Sequence, residues 1–402
     1  MSRRVAVPAG AATLALVAAA CLLAWRTGSP LVPRDGGDSI GSAPWFLCLL
    51  LVAFTTYLVA LLALRGVPPS TRAVIVIAAA IQLAPLAAPL MLSTDAWSYW
   101  SYGWIGSAGE ANPYSQPPIA FPESPAAPWM GRAWLETTSV YGPAFTLVSE
   151  PLARVAGKSE NVAAWEYKSL AALAIIASAL LAGHLARRRA LAIAVVGWNP
   201  VLAIHAAGGG HNDAWVGALV LAALALAASR RVQGAGAMWA LAIALKWVPI
   251  LFLTLRAVEA RATGRARGCR GFALSTAAIV ATATLLYGTH WLRAIVPLVG
   301  NAALETSYAL PSRLEDIGLP GGLALALSIA AFVTGFAWLL RSSARGRARL
   351  GLAACLVLFT TPYLAVWYLA WAVPLAAADE DPPALLGCLA LCLYLLPQTI
   401  PV

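Results

Sequence analysis

Asp95 is a carboxylate in an expensive place. It follows the apolar run 73 to 92 and opens the polar, aromatic segment STDAWSYWSYGWIGSAGEANPYSQPP. An acid at the mouth of a membrane cavity is costly to desolvate, so its presence points to chemistry or transport. Tyr99 and Tyr102 follow at i+4 and i+7, which places both phenols on the acid's face of a helix, with Trp97, Trp100 and Trp104 around it. Aromatic planes beside a carboxylate suit a sugar, whose C–H faces pack on rings while its hydroxyls bond to acids and amides. The plainer readings are a helix cap for Asp95, supported by Ser93 and Thr94, and an interfacial belt for the tryptophans. The rarity of acids at span ends favours function for Asp95 and leaves the two tyrosines open.

A second polar cluster lies in GWNPVLAIHAAGGGHNDAWVGA. Glycines 208 to 210 end one span, and His211, Asn212 and Asp213 start the next helix at the membrane face that carries Asp95. A glycine turn needs at most one capping side chain. An imidazole together with a carboxylate exceeds that need and suggests ligand binding, whereas His205, a turn earlier, reads as a packed histidine. Lys246 interrupts another apolar run; it is either a snorkelling lysine or a cation for an anionic substrate. Arg293 and Arg313, in the 290 to 319 loop, are the other candidate cations.

These residues need a membrane scaffold. The 402 residues are 60% hydrophobic and 11% charged, with a mean hydropathy of +0.76, which excludes a soluble globule. The expected fold is all-α: a polytopic transmembrane helical bundle in a single integral domain spanning 1 to 402. Spans are predicted at 5 to 25, 43 to 64, 73 to 92, 162 to 186, 190 to 206, 214 to 229, 272 to 289 and 320 to 340. The run after Ser-Arg-Arg resembles a secretion signal but has no convincing cleavage site, and it reads as a retained first span.

Of the 27 basic residues, 18 fall in short linkers that can all be cytoplasmic if the N-terminus is inside. The positive-inside rule then places Asp95 extracytoplasmically, in a plasma-membrane protein whose active site faces out. The remaining cations are assigned to the opposite loops, Lys246 excepted. The net charge of +10 reflects this topology and anionic membrane lipids, with no nucleic-acid partner implied. Two segments conflict with simple span counting. YGPAFTLVSEPLARVAG (141 to 157) is predicted to be a re-entrant half-helix, and the run around Lys246 a re-entrant hairpin broken at Lys246-Trp247-Val248-Pro249, because a single span would move two arginine clusters outside. The stretch TTPYLAVWYLAWAVPLAA is expected to turn at the outer surface before a last span from about 384. The six cysteines show neither metal-ligand spacing nor a disulfide framework. No metal and no cofactor are expected.

The ordered set D-x3-Y-x2-YG, NPY (112 to 114), YGP (141 to 143), WNP followed by GHND, a lysine in an apolar hairpin and a late VWYLAWAVP resembles the GT-C membrane glycosyltransferases. It is most similar to the actinobacterial polyprenol-phosphomannose-dependent α-1,6-mannosyltransferases, with a similar layout in the first mannosyltransferase of GPI-anchor synthesis. The similarity covers about residues 73 to 375, flanked by N-terminal spans in 1 to 72 and a C-terminal span in 376 to 402. The resemblance implies a bundle with a long first extracytoplasmic loop and a catalytic base at Asp95. Together with the residue readings above, the motifs make Tyr99, Tyr102, Asn112, Tyr114, Tyr141, His211, Asn212, Asp213 and Lys246 the candidate substrate-binding residues. The chain departs from the family by lacking an obvious further C-terminal domain, which leaves the acceptor unspecified.

A site facing out cannot use cytoplasmic nucleotide sugars, so the activated sugar must arrive on a lipid. A polyprenyl phosphosugar fits as donor, with a glycolipid or glycan acceptor. A carrier or flippase of lipid-linked sugars is the competing class; midplane acids and inverted repeats would mark it, and neither is evident. A third reading is a non-catalytic scaffold in envelope assembly.

Overall fold

The computed structural model describes residues 2–26, 29–33, 41–66, 69–266, 268–295 and 306–400. Arg267, one of the linker arginines, lies outside them. The described chain is an all-helical bundle with no strand. Five helices contain stretches long and apolar enough to cross a membrane: Arg4–Ala24, Ala43–Leu64, Glu160–Leu185, Cys269–Tyr287 and Gly321–Ala344. These correspond to five of the eight predicted spans.

The bundle begins with α1 (Ser2–Ala24) and α2 (Ala43–Leu64), which pack along each other. The other three predicted spans are broken or shortened. The run 73 to 92 forms α3 (Thr71–Leu83), a 3-10 turn at Ala84–Ala87 containing Pro85, and then extended chain up to α4 (Asp95–Ser107). The run 190 to 206 is interrupted between α8 (Arg189–Gly197) and a π-helical segment (Leu202–Ala207). Pro200 has no N–H, and the Asn199 side chain instead accepts from the N–H groups of Val201 and Leu202 at 2.9 and 3.3 Å. Carbonyls freed by the break need a donor in a dry interior, and the buried Gln82 amide supplies it to Gly197 O and Asn199 O at 3.0 and 3.3 Å. The third, 214 to 229, becomes the 16-residue α9 (Asp213–Ala228).

Between α4 and α9 lie the short α5 (Arg132–Leu135), α6 (Pro143–Ala156) and α7 (Glu160–Leu185). The predicted half-helix is α6, which packs along α4. The helical hairpin around Lys246 is also present. α10 (Val232–Leu245) ends where Lys246 becomes extended, and α11 (Pro249–Ala262) starts at the proline. The open end of the hairpin is closed by α12 (Cys269–Tyr287), whose Gly271 N–H donates to Gln233 Oε1 at 2.8 Å. Arginines 230 to 231 and 256 to 265 therefore share one end of the bundle.

The chain continues through α13 (Leu310–Asp316), α14 (Gly321–Ala344), α15 (Leu350–Thr360), α16 (Leu369–Asp379) and α17 (Pro382–Leu395). At the arginine end, Glu380 accepts from the N–H groups of Arg187 and Arg188, both at 2.9 Å, and Arg349 grips Asp381 through two 2.7 Å bonds. At the other end, the 361–368 turn joins α15 to α16 beside Asp95.

Candidate active site

A cavity of about 170 Å³ opens at the end of the bundle opposite those arginines. Asp95, Trp134, Tyr141, Lys246, Tyr363 and Trp367 are among its lining residues, with Trp247 and Tyr368 completing an aromatic wall. It is smaller than the roughly 300 Å³ at which drug-sized sites begin, so its scale is that of one sugar ring rather than a chain.

Asp95 is the first residue of α4, and its own N–H donates to Ser93 Oγ at 3.2 Å. The segment that presents it is pinned from three sides: Met91 N–H bonds Gly208 O at 3.2 Å, Leu92 N–H bonds Leu31 O at 2.9 Å, and the Lys168 ammonium donates to Ala88 O and Pro89 O. Lys168 is a correction to the charge reading, which counted it with the loop cations although it falls within the predicted span 162 to 186. It sits in the third turn of α7, 1% exposed, and the alanine-rich run that follows hid a buried cation.

His211 stands behind the acid. Its ring is fully buried and stacks on Trp367 with centroids 4.0 Å apart and planes 10° from parallel. Its Nδ1 lies 3.3 Å from Asp95 Oδ2, within reach of a proton but off the axis of a well-aligned hydrogen bond. The turn before it uses Gly210 at φ +68°, a conformation that glycine adopts freely. Asn212 is 1% exposed, and neither atom of its amide has a hydrogen-bond partner.

Asp213, one residue on, is committed to the protein. Lys246 Nζ donates to both of its oxygens at 2.8 and 2.9 Å, and Trp371 Nε1 donates to Oδ1 at 3.1 Å. Lys246 therefore does not snorkel: its ammonium lies 4.7 Å from the Tyr368 ring centroid, and the side chain as a whole is 20% exposed. The break after α10 makes this possible, because extended backbone at Lys246 swings the side chain out of the helix line and toward the start of α9. Tyr141 and Gly142 cross against the same break. Gly142 N–H bonds Leu245 O at 3.1 Å, and a Cβ there would fall 2.0 Å from Ala244 O.

The other sequence candidates surround the cavity rather than line it. Tyr99 is 1% exposed and makes edge contacts with Tyr141, Phe145 and Tyr167. Tyr102 donates to Thr137 O at 2.8 Å, so the face it shares with Asp95 and Tyr99 packs beneath the long loop. Asn112 donates to Tyr287 O at 2.7 Å and accepts from Tyr114 N–H at 3.0 Å. The Tyr114 hydroxyl reaches Tyr141 O at 3.1 Å and Thr146 Oγ1 at 2.7 Å. This chain of bonds braces Tyr141, which does line the cavity. His205 is buried, 2% exposed. Arg293 is exposed outside the lining, and Arg313 pairs with Asp316 at the rim of a separate apolar groove of about 680 Å³.

Sequence reasoning did not single out Trp134, Trp247, Thr361, Tyr363, Trp367 or Tyr368. For all but Trp134, which sits on the short α5 of the long loop, the signal was the late TTPYLAVWY stretch and the lysine hairpin, each recognisable as a pattern without a partner. Burial, then Tyr99 and Asp95 for Tyr141 and the Asp95 and Asp213 carboxylates for Tyr363, hold both phenols above their ordinary range, so both remain donors. A carboxylate with imidazole behind it and aromatic walls in front is arranged to accept a proton from a hydroxyl held over those walls.

Comparison with known proteins gives the family. Residues 7–262 match the family of the α-(1→6)-mannopyranosyltransferase N-terminal domain. The chain belongs to this mannosyltransferase family. Residues 140–397 also match glycosyltransferase family 87, so the two matches overlap across α6 to α11. Among curated proteins, α-(1→6)-mannopyranosyltransferase A of Corynebacterium glutamicum is 26% identical over 255 residues, 58% of this chain and 51% of that protein. The Mycobacterium tuberculosis protein of the same name is 30% identical over 168 residues, 40% of this chain and 32% of its own length. The chain thus spans about half the length, or less, of the curated relatives it matches. No solved structure matches. With its apolar helices, this member of the mannosyltransferase family is a membrane protein.

Proposed function

We propose that the chain transfers a mannosyl group from a polyprenyl phosphate donor to a hydroxyl of an envelope glycolipid or glycan, at the extracytoplasmic face and with inversion. One observation carries the reading. Asp95 opens into a ring-sized aromatic cavity with a buried, stacked imidazole at its back. The relatives' printed name, α-(1→6)-mannopyranosyltransferase, supplies the sugar and the linkage.

In this reaction the acceptor oxygen attacks the anomeric carbon and forms the new glycosidic bond. The bond from that carbon to the phosphate oxygen breaks, and the electron pair leaves with polyprenyl phosphate. Asp95 takes the hydroxyl proton as the general base. The leaving phosphate needs no general acid. Lys246, shared with Asp213, meets the charge that develops on it. Trp367, Tyr363 and Tyr141 hold the sugar. Tyr99, Tyr102, Asn112 and Tyr114 act through these residues by fixing the floor and the loop.

The donor's lipid supports the same placement. The apolar groove between α14, α15 and α17 includes Leu364, the chain neighbour of Tyr363 in the cavity wall, so a tail there reaches the cavity over one short turn. Arg313 stands at its rim. A cytoplasmic donor would require the cavity at the arginine end, where the positive-inside rule puts the other membrane face.

The test is direct. Purified protein is incubated with polyprenyl phosphomannose and an envelope glycolipid, and products are read by mass spectrometry. The expected product is the acceptor plus one hexose. Donor bound or moved across vesicles with no product formed would replace the transferase with a carrier. For the face, Ala108→Cys should react with an impermeant thiol reagent in intact cells and Ala266→Cys should not; the reverse pattern would turn the site inward.

A further inference from the structure

A second cavity lies at the other end of the α10–α11 hairpin from Lys246. It measures about 920 Å³ and is formed between the last turns of α9 and α11, the first turns of α10, and the start of α12. Its nearest lining on the two arms, Trp239 and Leu253, lies about 10 Å along the helices from Lys246, its arginine rim lies farther away, and it shares no lining residue with the Asp95 cavity. It is therefore distinct from the site that holds Asp95.

Its walls and rim differ in chemistry. Leu224, Trp239 and Leu253 make the walls apolar, while Arg230, Arg256 and Arg265 line the rim. Glu259 answers part of that charge: Arg256 pairs with its Oε2, and Arg265 Nη1 lies 3.8 Å from its Oε1. Three guanidinium groups face two acids, Glu259 and, near Arg256, Asp379, so the positive charge left over at the mouth of this greasy pocket falls to Arg230 and Arg265. Arg230 also holds a left-handed backbone at φ 60°, at the helix-end position where glycine is the usual occupant.

We propose that this cavity binds an anionic glycerophospholipid from the leaflet on the arginine side, its phosphate held by Arg230 and Arg265 and one acyl chain lying between α9, α10 and α11. The guanidinium fork matches phosphate oxygens in pairs. A free inorganic anion would satisfy the rim and leave the apolar walls wet. A zwitterionic lipid would bring its own cation against the arginines. An anionic lipid satisfies rim and wall together, as basic pockets between membrane helices do. Its effect is to brace the open end of a hairpin whose apex presents Lys246, and its binding can be measured without any transfer reaction.

Cys269 lines this cavity and is an exposed free thiol, which makes it a built-in reporter. The full chain carrying Cys48→Ala, purified in detergent, is titrated with phosphatidylglycerol, phosphatidylcholine or inorganic phosphate. Maleimide alkylation of Cys269 is timed, and retained lipid is read by native mass spectrometry. Phosphatidylglycerol should slow alkylation about fivefold or more and stay bound, as one or two arginine contacts predict, while the other two probes should not. The double variant Arg230→Gln, Arg265→Gln should lose both effects and keep a reactive Cys269. Protection by phosphate alone, equal protection by phosphatidylcholine, or protection that survives in the double variant would each overturn the proposal. The comparison of probes on the unmodified arginines decides the matter even if that variant does not fold.

Discussion

Asp95 and Asp213 occupy the same kind of position and live in different environments. Each is the first residue of a helix, α4 or α9, at the same end of the bundle. Asp213 is 1% exposed and receives three hydrogen bonds from Lys246 and Trp371. Asp95 is 14% exposed, faces the cavity, and has His211 as its charged-capable neighbour at 3.3 Å. The difference separates an acid that holds a site together from one available to a ligand. Because Lys246 cancels the charge of Asp213, the Asp95 carboxylate gives the cavity its net negative charge, beside a cation already partly engaged.

The largest effect expected is on the free acid. Asp95→Asn keeps shape and size but cannot take a proton, so glycosyl transfer should fall by about two to four powers of ten. The midpoint of thermal unfolding in detergent should stay at the wild-type value, since the wild-type carboxylate is not buried in a structural pair. Turnover within a few-fold of wild type would remove Asp95 from the mechanism.

Next in size is the engaged acid. Lys246→Met strips the partner from a carboxylate that is almost wholly buried, and an uncompensated charge of that kind costs about 3 kcal/mol of stability. Adding Asp213→Asn should restore most of the unfolding midpoint, because the amide still accepts from Trp371 and carries no charge. Transfer should remain low in the double variant, with a raised KM for the donor, since no cation is left to meet the phosphate. A single Lys246→Met variant as stable as wild type would end the distinction between the two acids.

This contrast was only half legible in the sequence. Both acids stood out from their apolar surroundings, and the helical face shared by Asp95, Tyr99 and Tyr102 was readable from spacing. Burial on that face depends on α6, α7 and the long loop, which no local pattern announces. The hairpin at Lys246 followed from charge placement and Pro249. Its consequence, an ion pair across 33 residues of chain, did not, because it depends on where the extended backbone at Lys246 aims the side chain. Lys168 was missed for a related reason: one lysine among alanines and leucines barely changes the hydropathy of α7, yet its ammonium ties down the segment before Asp95. Spans 73 to 92 and 190 to 206 were apolar enough to cross but break at prolines, and those breaks turn helix ends toward the cavity.

A smaller effect should separate orientation from proton transfer. His211→Ala removes the imidazole behind Asp95, and its loss should lower kcat about tenfold with little change in donor KM, the scale of one charge-assisted contact. His211→Asn places an amide nitrogen near the former Nδ1 and should recover most of that loss. If both variants lose equally, the stack on Trp367 matters and the contact with Asp95 does not.

The smallest effect belongs to the cavity wall on the far side of the acid. Tyr363→Phe keeps the ring and deletes one neutral donor, so a sugar hydroxyl loses a bond worth about 0.5 to 1.5 kcal/mol, a two- to tenfold drop in kcat/KM. The pH dependence sharpens the assignment. Burial and then the Asp95 and Asp213 carboxylates raise the Tyr363 phenol above its ordinary value. A raised phenol stays protonated as pH climbs, so Tyr363 donates throughout the working range and contributes no alkaline limb below pH about 10. Wild type and Tyr363→Phe should therefore give parallel pH–rate profiles, offset by a constant factor. Loss of an alkaline limb in the variant would mean that the phenol ionises near neutrality, and Tyr363 would then compete with Asp95 as the base.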